Sequence, residues 1–139
     1  METLIAIVDA GPLYAAADLN DCNHERCATL FSQTDLHLVI PALVIAEVTY
    51  LIAKRLGTDS EARFLAGLAE YDIEPPSAED WPRIAELVKK YSDFPLGGTD
   101  ASIIALSERL GVSVIITTDR RHFSAVRPRH CPAFEILPE

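Results

Sequence analysis

Four acidic residues stand alone in uncharged, largely apolar segments of the sequence. Asp9, Glu47 and Asp100 are each the only charged residue in a stretch of a dozen residues or more, and Asp119 closes the uncharged run before it. A carboxylate that is buried without a partner costs several kcal/mol or has its pKa forced upward. If these segments are buried, each acid therefore needs a compensating group.

Metal binding is the chemistry that converging carboxylates favour. Like charges that meet at one place repel strongly unless a cation lies among them. A ligand set made only of carboxylate oxygens, with no His or Cys, favours the hard ions Mg²⁺ or Mn²⁺ over Zn²⁺. A divalent ion held in this way activates bound water, which suits the hydrolysis of phosphodiester bonds.

Each acid also has a purely structural interpretation. Asp9 and Asp119 are typical of turns. Asp100 falls in the first turn of a predicted helix, where the helix dipole favours acids. Glu47 lies within an apolar helix, where a buried pairing with Lys54 or another basic residue is the structural alternative.

The elements that must position these acids alternate between strands and helices. Residues 4–8 form a short apolar run that predicts a strand buried on both faces, and Asp9 follows it. Residues 112–117 predict a second, β-branched strand shortly before Asp119. Further strands are predicted at 37–40, 71–74 and 134–137, the last at an edge, and helices at 13–17, 21–33, 41–56, 58–70, 78–91 and 99–111.

Three of these helices carry sequence signals at their ends. Pro41 suits the first position of a helix that Gly57 ends. Residues 58–61, Thr-Asp-Ser-Glu, match a capping box that opens the next helix. Thr99 suits the N-cap of the helix that ends at Gly111.

The alternation of strands with helices predicts an α/β fold, a three-layer α/β/α sandwich around a mainly parallel central sheet. The length of 139 residues suits a single domain over residues 1–139. Such sheets bind ligands beyond the carboxyl ends of their strands. Asp9 and Asp119 follow predicted strands and are expected at that edge.

Composition excludes several classes of protein. A hydrophobic content of 49% excludes a disordered chain. No apolar run approaches the roughly 20 residues that a membrane span needs, and the start of the sequence lacks the basic leader of a secretory signal. The three cysteines form no C-x-x-C pair, and such cysteines suit a reducing cytoplasm.

Four segments, in order along the chain, resemble the PIN-domain ribonucleases, specifically the VapC-type toxins of bacterial toxin–antitoxin pairs. They are Ile7–Leu13, Pro41–Val48, Tyr91–Ser102 and Ile115–Phe123. The resemblance spans essentially the whole chain, and four ordered segments are more specific than any single aspartate after a strand.

The resemblance implies that Asp9, Glu47, Asp100 and Asp119 form an acidic pocket whose residues are both catalytic and metal-binding. It implies an endoribonuclease that depends on Mg²⁺ or Mn²⁺ and cleaves RNA, often tRNA or ribosomal RNA. It also implies restraint by a VapB-type antitoxin and a homodimeric assembly. With the cysteine pattern, we expect a cytoplasmic protein with no membrane partner.

Other residues in the matching segments are expected to assist. Thr117 matches the strand-end hydroxyl of the family and is expected to support Asp119 or a water on the metal, an ordinary strand threonine being the alternative. Asp93 is a candidate outer acid, a plain loop aspartate being the alternative. Many relatives carry Ser or Thr two residues after the first Asp, whereas this chain has Gly11, so a supporting hydroxyl is missing.

The charge balance bears on how RNA would dock. The net charge of −9 argues against binding of nucleic acid by the overall field of the protein. The balance reverses locally at Arg120, Arg121 and His122. We expect these three residues to contact RNA phosphates beside the acids. Pairing of the arginines with structural acids is the alternative.

Two functions of other classes compete with the ribonuclease. A response-regulator receiver needs paired acids after its first strand and a lysine after its last, and the sequence has no lysine beyond Lys90. A catalytically silent PIN-like module would act only through protein contacts. The four acids argue against such a module, whereas Gly11 leaves it open.

Overall fold

The computed structural model describes residues 3–139, and its centre is a five-stranded parallel sheet. The strand order is β3-β2-β1-β4-β5, and all four neighbouring pairs are parallel. The strands are β1 (Leu4–Val8), β2 (Leu36–Pro41), β3 (Asp72–Glu74), β4 (Val114–Ile116) and β5 (Glu135–Leu137). The predicted α/β fold and the edge position of the last strand are confirmed.

Seven α-helices connect and cover the strands of the described chain. They are α1 (Ala10–Ala17), α2 (His24–Phe31), α3 (Ala42–Leu56), α4 (Thr58–Gly67), α5 (Asp80–Lys90), α6 (Gly98–Leu110) and α7 (Arg120–Ala125), with a 3₁₀ turn at Leu68–Glu70. Helices α1 to α4 pack among themselves, and α5 packs on α6. Right-handed crossovers place these two groups on opposite faces, because the chain reverses its direction across the sheet after β3.

The reversal of strand order places a crevice at the carboxyl ends of β1 and β4. These two strands pair in register at Ile7 with Ile115 and Val8 with Ile116. All four of those residues are fully buried. Asp9 follows β1 directly, so the chain enters the crevice with a charged residue as soon as the apolar strand ends.

The apolar spacing of the helices explains how they seat on the sheet. In α3 the buried residues Val44, Val48 and Ile52 recur every fourth position and form one face. In α6 the continuous segment 101–107 is buried, so this helix is enclosed on nearly all sides. Asp100 is placed at the crevice because it directly precedes that enclosed segment.

Several predicted helix ends are wrong. Pro41 is the last residue of β2 and the N-cap of α3, although Gly57, with a φ of +93°, does end that helix. Gly57 is also the N-cap of α4, so Thr58 begins the helix and no capping box forms. The carboxylate of Glu61 instead accepts a hydrogen bond of 2.7 Å from the hydroxyl of Thr49 on α3.

Other boundaries also differ from the prediction. Helix α6 has Gly97 as its N-cap, and Thr99 lies within its first turn. Helix α1 begins immediately after Asp9 instead of at Leu13, and helix α7 is absent from the prediction. Gly111 ends α6, as predicted, and it does so in the left-handed conformation. Within residues 3–139, no helix combines the length and apolarity of a membrane span.

Candidate active site

Asp9 is the buried acid at the centre of the crevice, with 8% of its surface exposed. It caps α1, and its Oδ1 accepts a hydrogen bond of 2.7 Å from the backbone N–H of Ala10. Burial raises the pKa of Asp9, the hydrogen bonds from Thr117 and Ala10 oppose that rise, and the charge of Asp119 adds to it. The folded protein therefore disfavours the ionised form of Asp9.

Thr117 links Asp9 to the segment that follows β4. Its hydroxyl donates a hydrogen bond of 2.8 Å to Asp9 Oδ2 and accepts one of 2.9 Å from the backbone N–H of Asp119. Only 1% of the Thr117 surface is exposed. One buried hydroxyl thus holds both a carboxylate and the backbone of a second acidic residue.

Asp119 is the N-cap of α7 and is held by His122 of the first turn. Its Oδ1 accepts a hydrogen bond of 3.4 Å from the His122 backbone N–H, and its Oδ2 lies 2.5 Å from the His122 Nδ1 atom. The other ring nitrogen, Nε2, lies 3.2 Å from the carbonyl oxygen of Phe94. Both ring nitrogens therefore face oxygens, which fixes the plane of the imidazole.

Asp100 joins this group from the first turn of α6. Its Oδ2 lies 3.6 Å from His122 Nδ1. Its pKa is raised to about 6, first by burial and then by the charge of Asp9, with His122 opposing and Asp119 and Glu47 adding to the rise. All three other acids of the predicted pocket thus act electrostatically on Asp100.

Glu47 lies at the exposed rim of this pocket. It is exposed on α3 and raises the pKa of Asp100 through its charge. Lys54, the partner considered in the structural alternative, lies over the ring of Tyr50, with 5.9 Å from its Nζ to the ring centroid. The structure therefore brings Asp100 and Asp119 close together, links Asp9 to them through Thr117 and its charge, and leaves Glu47 accessible to solvent.

His122, predicted to contact RNA beside the acids, lies against Asp100 and Asp119 themselves, a contact that the sequence does not reveal. One ligand atom from each of Asp100, Asp119 and His122 lies within 4.8 Å of the others. The cause is local, because the third residue after a helix N-cap returns onto the cap. Within residues 3–139, the group of candidate metal ligands thus includes an imidazole nitrogen, whereas the sequence indicates oxygen ligands alone.

The two arginines predicted to contact RNA differ in their surroundings. The Arg120 guanidinium donates hydrogen bonds to the carbonyl oxygens of Ile136 and Pro138, the second at 2.9 Å. The Arg121 guanidinium is exposed and lies over the ring of Phe94, 5.7 Å from its centroid. Arg120 thus braces the C-terminal strand, whereas Arg121 is accessible to a ligand of the crevice.

Asp93, the candidate outer acid, is exposed in the turn between α5 and α6. That turn also carries Phe94, whose carbonyl faces His122. Asp93 therefore shares a segment with the site but is placed at its surface.

The residues present fit a divalent cation. The pKa of both Asp9 and Asp100 is raised by burial and by the charge of other acids. A cation among these carboxylates would offset both the burial and the mutual repulsion, because it stabilises their ionised forms. The donor set can therefore hold a metal ion at the carboxyl ends of β1 and β4.

The chain matches known proteins over most of its length. The sequence model of the PIN domain family matches residues 6–127. The chain is 34% identical over 134 residues to ribonuclease VapC26 of Mycobacterium tuberculosis, covering 95% of this chain and 99% of that protein.

Solved structures share the fold at lower identity. VapC20 of Mycobacterium tuberculosis, described as a sarcin-ricin loop cleaving toxin, superposes with a TM-score of 0.74 at 17% identity, covering 79% of this chain and 86% of that one. VapBC2 of Rickettsia felis, solved bound to a DNA fragment from its promoter, gives a TM-score of 0.70 at 16% identity, covering 97% of this chain and 100% of that one.

Proposed function

The chain belongs to the PIN domain family and is a VapC-type ribonuclease, and from that premise we propose that its acidic site uses Mg²⁺ or Mn²⁺ to hydrolyse tRNA or ribosomal RNA. The observation that carries this proposal is the convergence of Asp9, Asp100 and Asp119 at the carboxyl ends of β1 and β4, with the pKa of Asp100 raised to about 6. Divalent metal dependence is the general property of the family.

We assign the four acids different roles according to their exposure. Asp9, Asp100 and Asp119 would hold the metal, with Glu47 at the open side facing the substrate. The bound metal supplies an activated water and a counter-charge for the scissile phosphate. Thr117 orients the Asp9 carboxylate through its hydrogen bond of 2.8 Å.

Docking of RNA is assigned to the exposed side of the crevice. The Arg121 guanidinium is exposed beside the segment that carries Asp119 and His122. A guanidinium there can meet a phosphate next to the one that is cleaved. Within an acidic protein, such a local contact positions the substrate without requiring a basic face.

Cleavage of RNA by purified protein tests the proposal. Total tRNA, ribosomal RNA and a panel of single-stranded RNAs are incubated with Mg²⁺, Mn²⁺ or EDTA. Asp9→Asn is expected to abolish a cleavage that requires metal, because it removes a central carboxylate while keeping its shape. Asp35→Asn is the matched control, since Asp35 is exposed just before β2, at the amino ends of the strands and away from the crevice.

The outcomes separate the candidate functions. Equal cleavage by wild type and Asp9→Asn would identify a contaminating ribonuclease. A folded wild-type protein that neither cleaves RNA nor binds Mn²⁺ in calorimetry would instead support the catalytically silent module.

We propose that the partner is a VapB-type antitoxin and that it binds a groove beside α4. This groove has a volume of about 210 Å³ and is largely apolar. Its lining includes Leu13, Phe31, Ile40, Phe64, Leu68 and Tyr71. Helix α4 contains no fully buried residue, and Phe64 packs partly against the core while it keeps part of its surface exposed in the groove.

Phe64→Asp tests this assignment. It is expected to weaken binding of the cognate antitoxin in calorimetry by roughly tenfold or more, the scale of losing one anchoring aromatic side chain. Unchanged affinity would place the antitoxin elsewhere on the toxin.

The remaining assignments concern the assembly and its setting. We propose that residues 1–139 form one PIN domain, because one sheet and one apolar cluster extend from β1 to β5. We also propose a homodimer, to be tested by analytical ultracentrifugation. A cytoplasmic location is supported by three free cysteines.

A further inference from the structure

Gly11 and Thr118 approach each other more closely than any side chain at position 11 would allow. A Cβ atom built on Gly11 would lie 2.5 Å from Thr118 Oγ1, and contacts of real Cβ atoms essentially never fall below 3.0 Å. The glycines with positive φ are Gly57 and Gly111. The backbone at position 11 therefore does not require glycine, but a side chain there would force the exposed side chain of Thr118 to shift.

This contact is the third in a series that joins the segments after β1 and β4. The backbone N–H of Asp9 donates a hydrogen bond of 2.9 Å to the carbonyl oxygen of Ile116. The Thr117 hydroxyl then bonds Asp9 Oδ2. Thr118 is seated against Gly11 one residue further along. The residue after Thr118 is Asp119, so the series ends at the second acid of the crevice.

We propose that Gly11 and Thr118 are a positioning pair, in which Thr118 occupies the side-chain space of Gly11 and thereby holds Asp119 at its place relative to Asp9. This inference rests on the proposed function, because it assigns the pair to the metal-binding acids. It explains how the chain dispenses with a hydroxyl-bearing side chain at position 11. That space already holds the hydroxyl of Thr118.

A serine at position 11 would therefore not simply restore the missing supporting hydroxyl in this chain. It would force Thr118 either to rotate about χ1 or to shift its backbone, and in the second case Asp119 would move with it. Rotation of Thr118 about χ1 relieves the contact only in the rotamer that turns hydrogen toward Gly11, because the other alternative places the γ-methyl there. Thr118→Ala removes the Thr118 side chain beyond Cβ and frees the space beside position 11. Gly11→Ser is therefore expected to do less damage in the Thr118→Ala background than in wild type.

A double-mutant cycle measures this compensation. Wild type, Gly11→Ser, Thr118→Ala and the double variant are compared in three measurements: Mn²⁺ affinity by calorimetry without RNA, thermal unfolding in EDTA, and kcat and KM for RNA cleavage. Gly67→Ser is the matched control, because a Cβ at Gly67 in α4 would meet no atom within 4 Å.

Gly11→Ser is expected to lower Mn²⁺ affinity and kcat by about 10–100-fold, the range typical of residues that orient metal ligands, with a smaller change in KM. The double variant is expected to return close to Thr118→Ala, and Thr118→Ser to retain the wild-type affinity because it keeps Oγ1.

Two results would overturn the pair. One is a Gly11→Ser protein with wild-type Mn²⁺ affinity, whether or not its unfolding temperature falls. The other is additivity, in which Gly11→Ser lowers the affinity of wild type and of the Thr118→Ala variant by the same factor. A wild-type protein that neither binds Mn²⁺ nor cleaves RNA would refute the proposed function, and the coupling of Gly11 with Thr118 would then be decided by unfolding temperatures alone.

Discussion

The hydroxyl of Thr117 donates a hydrogen bond of 2.8 Å to Asp9 Oδ2, although the two residues are 108 positions apart in the sequence. The same hydroxyl accepts the backbone N–H of Asp119 at 2.9 Å. A hydroxyl that both donates and accepts is suited to this place, because one neighbour is a carboxylate and the other an N–H group. The orientation of Asp9 and the backbone position of Asp119 are therefore linked through one buried atom.

Thr117→Val is expected to impair the site while keeping the shape of the side chain. Loss of the hydroxyl leaves a buried oxygen of Asp9 without its donor, which costs about 1–3 kcal/mol of folding free energy when Asp9 is ionised. Mn²⁺ affinity is expected to fall about 10–100-fold. Urea unfolding and calorimetry measure the two effects, and Thr117→Ser, which keeps the hydroxyl, is the control. Wild-type Mn²⁺ affinity in Thr117→Val would contradict the assignment.

The contribution of Asp100 to the stability of the metal-free protein is expected to become more favourable as the pH falls from about 7 toward 5. The pKa of Asp100 is raised from 3.8 to about 6 on folding. A raised carboxyl pKa means that the folded state binds the proton more tightly, so ionised Asp100 destabilises it above pH 6, and this penalty is lost as the group protonates. Thermal unfolding in EDTA across this range measures the effect.

Asp100→Asn is the matched variant for this pH dependence. It removes the titrating group and its charge, so its unfolding temperature is expected to vary less between pH 7 and 5 than that of wild type. Saturating Mn²⁺ at pH 7 is expected to stabilise wild type, because a ligand that binds only the folded state adds its binding free energy. Equal variation of the unfolding temperature with pH in wild type and Asp100→Asn in EDTA would contradict the raised pKa of Asp100.

Arg121→Ala and Arg120→Ala are expected to act on different properties. Arg121 is exposed over Phe94, so its loss is expected to raise KM and to reduce the slope of log affinity against log salt by about 0.7, the value for one phosphate of a single strand. Arg120 bonds the carbonyls of Ile136 and Pro138, so its loss is expected to lower the unfolding temperature instead. Equal salt slopes for Arg121→Ala and wild type would remove Arg121 from the RNA-binding surface.

Glu108→Ala is expected to destabilise the fold by about 2 kcal/mol, the scale of a hydrogen-bonded charged group. Its carboxylate accepts two hydrogen bonds from Arg83, at 2.8 and 2.9 Å, and one of 2.8 Å from the backbone N–H of Arg129. Burial raises the pKa of Glu108, but the bonds from Arg83 and Arg129 together outweigh it, so the net pKa is lowered. Urea unfolding at pH 7 measures the loss.

The same network fixes how that stability depends on pH. A carboxyl whose pKa is lowered on folding stabilises the protein above its unfolded pKa of 4.5, and this contribution is lost as the pH falls through the folded pKa. The difference between wild type and Glu108→Ala is therefore expected to shrink in acid. A difference that stays constant from pH 7 to 3 would exclude the ionised network as its cause.

Much of the site could be predicted from the sequence because its acids sit where apolar runs end. Asp9 follows an apolar strand directly, and Asp119 comes shortly after β4 and the buried Thr117. Parallel strands bring such ends to one edge of the sheet. The burial of Asp9 and Thr117 follows from the same pattern.

Contacts made by tertiary packing could not be predicted in this way. Nothing in the sequence indicates that Thr49 binds Glu61 in place of a capping box, because that bond depends on how α4 folds back along α3. Helix α7 has six residues, too few for a clear apolar period. With α7 unrecognised, the return of His122 onto Asp119 could not be foreseen.

Helix α4 is held in place by few buried contacts. It packs along α3 and has no fully buried residue. A helix of this kind opens locally at a smaller free energy than the sheet, so its amide hydrogens are expected to exchange fastest among the long helices. An antitoxin bound in the adjacent groove would slow that exchange by drawing the helix toward its closed form. If the antitoxin binds in that groove as proposed, its binding and the local folding of α4 form one coupled equilibrium, and the affinity of the complex reports on both.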